Sequence, residues 1–330
     1  MSTILSFGEA LIDFHGLAPD SPGRRPTYVP HPGGAPANVA VAVARLGGRA
    51  AFLGMLGSDP FGDMLLDGMV EAGVDTRHVR RTAEANTALA FVSNDANGER
   101  SFSFYRPPSA DLLFRADDFD RDAFVDAVVF HCCSNSLTEG AIADATMAGV
   151  QLARTAGALV SFDMNLRPAL WPRGEDPGPR LWGLLDAADL VKLSGEELAF
   201  LAARFGGEQA VRERLWRGAA RVLVVTNGAG PLHWHTRNDE GTLPAFAVPA
   251  VDSTGAGDAF VGGLLLGLGG QRDATGLDAL AADATRRDAW LRFAAACGAL
   301  AVTRAGSFAA MPARDEVERF LASHIAEPAP

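Results

Sequence analysis

Short apolar runs recur along the chain at Ile4–Phe7, Ala51–Met55, Ala127–His131, Leu159–Asp163, Leu190–Leu193 and Val222–Thr226. They carry little polar alternation, which predicts strands covered on both faces. Between them lie longer stretches with helical spacing: Ala35–Leu46, Gly62–Ala72, Thr138–Ala156, Glu196–Ala203 and Glu208–Arg217. A further apolar, glycine-dotted run, Ala259–Leu268, continues as a helix. Strand–helix alternation of this kind predicts a mainly parallel sheet with helices on both sides. Residues 87–106 break the rhythm. Thr87–Ser93 and Glu99–Arg106 flank Asn94-Asp95-Ala96-Asn97-Gly98, and Phe102 and Phe104 alternate with Ser101, Ser103 and Tyr105. That is a period-two hairpin with Asn97-Gly98 in its turn, too short for a domain of its own. It fits either a small sheet closing over the parallel core or a peripheral antiparallel edge. Residues 14–32, rich in Pro and Gly, are candidates for neighbouring strands. The polar, Asp-rich stretch 269–287 reads as a surface insertion, and 326–330 as a frayed tail.

Composition narrows the classes. The chain has 330 residues, 48% of them hydrophobic, enough for one large domain or two modest ones. A formal net charge of −11 argues against a nucleic-acid-binding surface, which needs a basic stripe. The three cysteines, Cys132, Cys133 and Cys297, form neither a disulfide framework nor a zinc signature and read as buried residues of a reducing compartment. The first residues lack the basic and apolar regions of a signal peptide, and no apolar run reaches membrane-spanning length, so a cytoplasmic protein without a membrane partner is expected. The seven histidines show no HExxH-like spacing.

Two segments carry chemistry. In Asp252-Ser253-Thr254-Gly255-Ala256-Gly257-Asp258-Ala259-Phe260, two glycines around an alanine permit a tight turn with bare backbone N–H groups. With a helix beginning there, the N–H groups of 255–257 meet an anion at the positive end of the helix. Asp258 would repel that anion, which makes sense if it takes a proton from a hydroxyl attacking a phosphoryl group; an ordinary acidic residue in a first helical turn is the plainer alternative. In Gly33-Gly34-Ala35-Pro36-Ala37-Asn38, continuing to Arg45-Leu46-Gly47-Gly48, the glycines let a ligand approach the backbone. Asn38 offers a donor and an acceptor, suited to a polyhydroxylated ligand or simply to solvent.

On these two segments the chain resembles the ribokinase-like (PfkB) carbohydrate kinase family. Gly33–Gly48 is similar to its first signature and Asp252–Phe260 to its second, in the expected order. The likeness spans almost the whole chain, including Gly8-Glu9-Ala10-Leu11-Ile12-Asp13. The segments Phe104–Asp111, Asp163–Trp171 and Val191–Glu197 resemble bacterial fructokinases within the family.

The resemblance implies one ribokinase-like domain over 1–330, a three-layer α/β/α sandwich with a β-sheet lid made from about 14–32 and 87–106. It implies ATP-dependent phosphorylation of a primary hydroxyl of a ketohexose, D-fructose to fructose 6-phosphate, with Asp258 as general base and Gly255, Ala256 and Gly257 as the anion hole. Asp13, Gly33, Gly34 and Asn38 match sugar contacts. Arg106 would cover the sugar or reach a phosphate, and Arg167 follows a strand end where open sheets bind ligands; either is alternatively a surface ion-pair partner. The two arginines keep a rival alive, a 2-keto-3-deoxygluconate kinase, which needs cations for a carboxylate; a non-catalytic sugar- or nucleotide-binding protein is the rival of another class. Lys192, Thr226, Gly228, Gly230 and Ser253 match nucleotide positions, while no GxxxxGK motif occurs. Glu197 matches the position that organises Mg²⁺ through water, with Ser194 where Asn is usual. Asp252, Thr254 and carbonyls around Ala301–Gly306 correspond to a K⁺ site, with Ala310 in place of a hydroxyl residue. Pairing of lids would give a homodimer.

Overall fold

The structure, a computed structural model, describes residues 2–17, 25, 27–94, 100–270 and 273–324. In chain order it runs β1 (Thr3–Phe7), β2 (Leu11–Leu17), β3 (Thr27–Gly33), α1 (Ala35–Arg45), β4 (Ala50–Gly57), α2 (Pro60–Glu71), β5 (Val79–Thr82), β6 (Ala88–Asn94), β7 (Arg100–Tyr105), β8 (Ala127–Cys133), α3 (Gly140–Thr155), β9 (Leu159–Asp163) and α4 (Gly178–Leu185). It continues with β10 (Leu190–Ser194), α5 (Gly195–Phe205), α6 (Glu208–Arg217), β11 (Val222–Asn227), β12 (Gly230–Thr236), β13 (Glu240–Leu243), α7 (Ala256–Gly267), α8 (Ala274–Ala282), α9 (Ala284–Ala301) and α10 (Arg314–His324).

Among the described residues, nine strands form one sheet in the order β13-β12-β11-β10-β9-β8-β1-β4-β5. The pairs from β11 through β5 are parallel; β12 and β13 add an antiparallel edge. Successive residues of one strand enter opposite cores. Ile4, Phe52, Val222 and Val224 pack with α1, α7 and α9, whereas Leu5, Leu53, Leu223 and Val225 pack with α3 to α6. Two buried faces require apolar residues in both phases, which is why these strands read as unbroken apolar runs. The result is the expected α/β/α sandwich.

β3-β2-β6-β7 form a separate four-stranded sheet. Within it β2 pairs antiparallel with β3 and parallel with β6, and β6 pairs antiparallel with β7. The hairpin at 87–106 is therefore not an edge of the main sheet. Its expected Asn97-Gly98 turn lies outside the described residues, as do most of 18–26.

One expectation is corrected. The stretch 269–287 is not an insertion: α8 and the start of α9 occupy most of it, with Leu277, Leu280 and Ala281 buried at helical spacing. The Asp- and Arg-rich outer face masked that stripe. Thr226–Gly230, the expected nucleotide segment after a strand, forms the turn of the β11–β12 hairpin, with Gly228 at φ 56°. The hairpin went unread because only Leu232 and Trp234 of β12 are buried, leaving a weak alternation. The three cysteines are free and buried.

Candidate active site

Carboxyl ends of parallel strands are where open α/β sheets bind ligands, and the motif residues gather there. α7 begins beside that edge. Its N-cap is Gly255, at φ 76°, and no side chain caps the helix. A β-carbon on Gly255 would press against Met311 Cε at 3.1 Å. Of the three expected anion-hole donors, the Ala256 N–H makes a long turn bond to the Ser253 carbonyl, 3.3 Å. An uncapped first turn keeps donors for an incoming anion.

Asp258, in that first turn, is 9% exposed, and its Oδ2 accepts a 2.7 Å hydrogen bond from Asn38 Nδ2. This bond joins the two sequence motifs across 220 residues. Burial pushes the Asp258 carboxyl above its ordinary range, opposed by the Asn38 bond and by the charges of Lys192 and Arg167. A raised carboxylate is a stronger base while still able to ionise. Asn38 Oδ1 is buried with no protein partner, an acceptor left for a ligand hydroxyl.

Asp13, on β2, faces the same space from the second sheet. Burial, then Asp258 and Asp252, raise its carboxyl to about 7, with Arg167 pulling the other way. Gly33 lies against the Asp13 carboxylate so closely that a β-carbon there would collide with it. Gly34 holds φ 100° as N-cap of α1, where a β-carbon would stand 2.7 Å from the Glu9 carbonyl and Ala10 Cα. Both glycines are dictated by close approach.

Lys192, on β10, aligns in register with Asp163 at the end of β9, and its Nζ lies 3.0 Å from Asp163 Oδ1. Burial alone would lower the Lys192 ammonium, but Asp163 and Glu197 outweigh it and keep it charged; burial pushes the Asp163 carboxyl up against the pull of Lys192. A β-carbon on Gly257 would sit 3.4 Å from Lys192 Nζ. The fixed cation thus stands beside the anion hole and near Asp258.

Glu197 is no solvated carboxylate. Its Oε2 accepts from Ser194 N and its Oε1 from Leu166 N, each at 2.7 Å, while Ser194 Oγ accepts from Glu197 N at 3.1 Å. Ser194, whose role the sequence left open, is the N-cap of α5 in a capping box. Each Glu197 oxygen retains a lone pair, which suits water-mediated contact with Mg²⁺. Among the described residues no group of three or more His, Cys, Asp or Glu could hold a metal unaided. Asp252 joins two segments: its Oδ1 accepts from Thr254 N at 2.8 Å and its Oδ2 from Gly306 N at 3.1 Å. Asp252 thus ties the segment before α7 to the chain around Gly306, the two stretches expected at the K⁺ position.

The remaining expected residues are placed less directly. Arg167 is exposed but close enough to act electrostatically on Asp13 and Asp258. Thr226 lies at the end of β11, its hydroxyl 3.5 Å from the Leu193 carbonyl, with Gly228 and Gly230 following it. Arg106, expected over the sugar or a phosphate, is 2% exposed and held by Asp111 and Thr138. Reasoning from sequence missed Asp163, Glu9, Asn135 and Ser307. Asp163 is a charge closing an apolar strand, and strand register would have paired it with Lys192. Ser307, whose buried Oγ has no protein partner, carries no such signal. Asn165, just past β9, is the described non-glycine residue with positive φ, 40°, a strained backbone at the crevice.

The buried acid at the start of α7 is thus bonded to the second motif and faced by another acid from the four-stranded sheet, an arrangement suited to moving a proton from a hydroxyl beside an anion site. The pfkB family carbohydrate kinase profile matches residues 1–314, and the chain belongs to that family. It is 44% identical over 315 residues to fructokinase-1 of Zea mays, covering 95% of this chain and 96% of that one. It superposes on fructokinase with bound ATP from Xylella fastidiosa with a TM-score of 0.94 at 53% identity, over 98% and 99% of the two chains. Fructokinase from Vibrio cholerae, in a form with fructose, ADP and calcium bound, gives a TM-score of 0.85 at 35% identity over 97% and 99%. The fold is ribokinase-like, and the chain is a phosphotransferase acting on a sugar hydroxyl.

Proposed function

We propose that this chain is an ATP-dependent fructokinase that phosphorylates the primary hydroxyl at carbon 6 of D-fructose. The observation that carries the reading is the Asn38–Asp258 bond at an uncapped helix end beside Lys192. Asp258 takes the proton of the sugar hydroxyl as its oxygen bonds to the γ-phosphorus and the bridging oxygen leaves with ADP. The N–H groups of Gly255, Ala256 and Gly257, with Lys192, hold the negative charge in transit. Asp13, Gly33, Gly34, Asn38 and Arg167 orient the sugar; Asp13 accepts two hydroxyl hydrogen bonds. Thr226, Gly228, Gly230 and Ser253 line the nucleotide's path along the strand ends. When bound, Mg²⁺ neutralises phosphate charge, with Glu197 reaching it through water. Asp252, Thr254 and the carbonyls of 301–306 would hold K⁺.

The β3-β2-β6-β7 sheet acts as the lid and excludes water, the competing acceptor. The exposed Tyr28 and Tyr105 of this sheet pack edge-on against Phe91, which supports a homodimer formed through paired lids. No described helix is long and apolar enough to cross a membrane, and we place the enzyme in the cytoplasm. Arg106 is occupied by Asp111, which weighs against a sugar-acid carboxylate and hence against 2-keto-3-deoxygluconate. A coupled ADP-release assay with both substrates tests this. Fructose should turn over, with NMR placing phosphate on carbon 6; turnover of the sugar acid alone would refute the assignment.

A further inference from the structure

The small sheet is joined to the body by four chain crossings, and buried polar groups gather at them. Glu9 lies between β1 and β2 and is 1% exposed; its Oε1 accepts a 2.8 Å hydrogen bond from Asn135 Nδ2. Arg106 follows the last residue of β7. Its Nε donates to Asp111 Oδ2 at 2.8 Å, its Nη2 stands 2.6 Å from the same oxygen, and its Nη1 donates to Thr138 Oγ1 at 3.3 Å. Thr138 Oγ1 in turn donates to the Asn135 carbonyl at 3.3 Å. One chain of contacts therefore runs Glu9–Asn135–Thr138–Arg106–Asp111, tying the start of β2 to the end of β7 through the segment after β8. Ser109 Oγ fixes the other Asp111 oxygen at 2.6 Å. The remaining crossings are held too. Gly34 packs on the Glu9 carbonyl, and Thr87, entering β6, bonds Asp59 through both N and Oγ1 at 2.7 and 2.9 Å.

Such a network is costly to build, since each buried charge must be desolvated, and breaking one partner strands the other. Phosphoryl transfer does not account for it, because the Arg106 guanidinium is 2% exposed and its three nitrogens are engaged by Asp111 and Thr138. We propose that Glu9, Arg106 and Asp111, linked through Asn135 and Thr138, are positioning residues that anchor the hinge of the small sheet. The anchor fixes where β2 leaves the body and hence where Asp13, four residues beyond Glu9, meets the sugar. The inference rests on the reading of that sheet as a lid over the sugar.

The test uses Asp111→Asn, which strands the Arg106 charge, and Thr138→Val, which keeps volume but removes the linking hydroxyl. Sugar KM should rise about tenfold or more in Asp111→Asn and about threefold or more in Thr138→Val. ATP KM should stay within twofold, kcat should fall less than threefold, and sugar-independent ATP hydrolysis should rise. A merely structural role would lower the melting temperature and the active fraction without this KM split. Hydrogen exchange, read without substrate, should show β2 and β6 amides about tenfold faster in the variants while β8 to β10 are unchanged. If Asp111→Asn fails to fold, Thr138→Val decides. Unchanged sugar KM together with unchanged β2 and β6 exchange in the folded variants overturns the proposal. A wild type inert toward fructose contradicts the substrate assignment instead, and the exchange measurement still decides the hinge.

Discussion

Helices α5 and α7 both start at the carboxyl edge of the main sheet, and they start in opposite ways. α5 satisfies its own first turn: Ser194 and Glu197 exchange a reciprocal capping box, and Glu197 also receives Leu166 N. α7 opens with Gly255 in a left-handed conformation and no side-chain cap, followed by a buried acid. α1 repeats the second pattern, with Gly34 as an uncapped start and Asn38 reaching Asp258. By contrast α2, α8 and α9 are capped by Asp59, Asp273 and Asp283. A side-chain cap contributes about 1 kcal/mol. A missing cap is not by itself the mark of the site, because α3, α4 and α6 also start without one. What sets α1 and α7 apart is the Asn38–Asp258 bond joining their first turns, each opened by a glycine with positive φ.

The largest test of that contrast is Asp258→Asn. The shape and the Asn38 neighbour remain, but the proton acceptor is gone, so kcat should fall on the order of 10³-fold or more while ATP affinity holds, by calorimetry. Near-normal turnover would show that α7 is an ordinary helix start. An intermediate effect is expected from Asp13, whose carboxyl stands at about 7. Being raised, this group favours the empty fold when protonated: its stabilising contribution is present below the ordinary carboxylate range and is lost as pH rises through about 7. Sugar binding needs the ionised form and runs the other way, so fructose KM should rise as pH falls from 8 to 6. Asp13→Asn should abolish both trends, raising the melting temperature at pH 8 and fructose KM about tenfold or more. A flat KM profile in the wild type would remove Asp13 from the sugar site. The smallest effect belongs to Ser194→Ala. It should cost about 1 kcal/mol of stability and leave kcat within twofold.

The apolar strands and the two glycine motifs were legible in the sequence because their signals are local. A fully buried parallel strand must be apolar throughout, and an uncapped, glycine-started helix announces itself by its composition. What escaped was relational. Arg106 reads in the sequence as a cation over the sugar or a phosphate, or as a surface ion-pair partner; that its pair with Asp111, beyond the end of β7, is buried does not show there. Asp163 and Lys192 meet only through strand register. α8 hid behind a charged outer face, and the β11–β12 hairpin hid behind the weak alternation of β12. Ser194 is explained once Glu197 is seen to return its hydrogen bond.

The measurement that goes straight to the central claim is a crystal structure with fructose and a non-hydrolysable ATP analogue. The account predicts the carbon-6 hydroxyl within about 3.2 Å of an Asp258 oxygen, with the terminal phosphate against the backbone N–H groups of 255–257. A sugar hydroxyl or terminal phosphate bound well away from α7's first turn would contradict it.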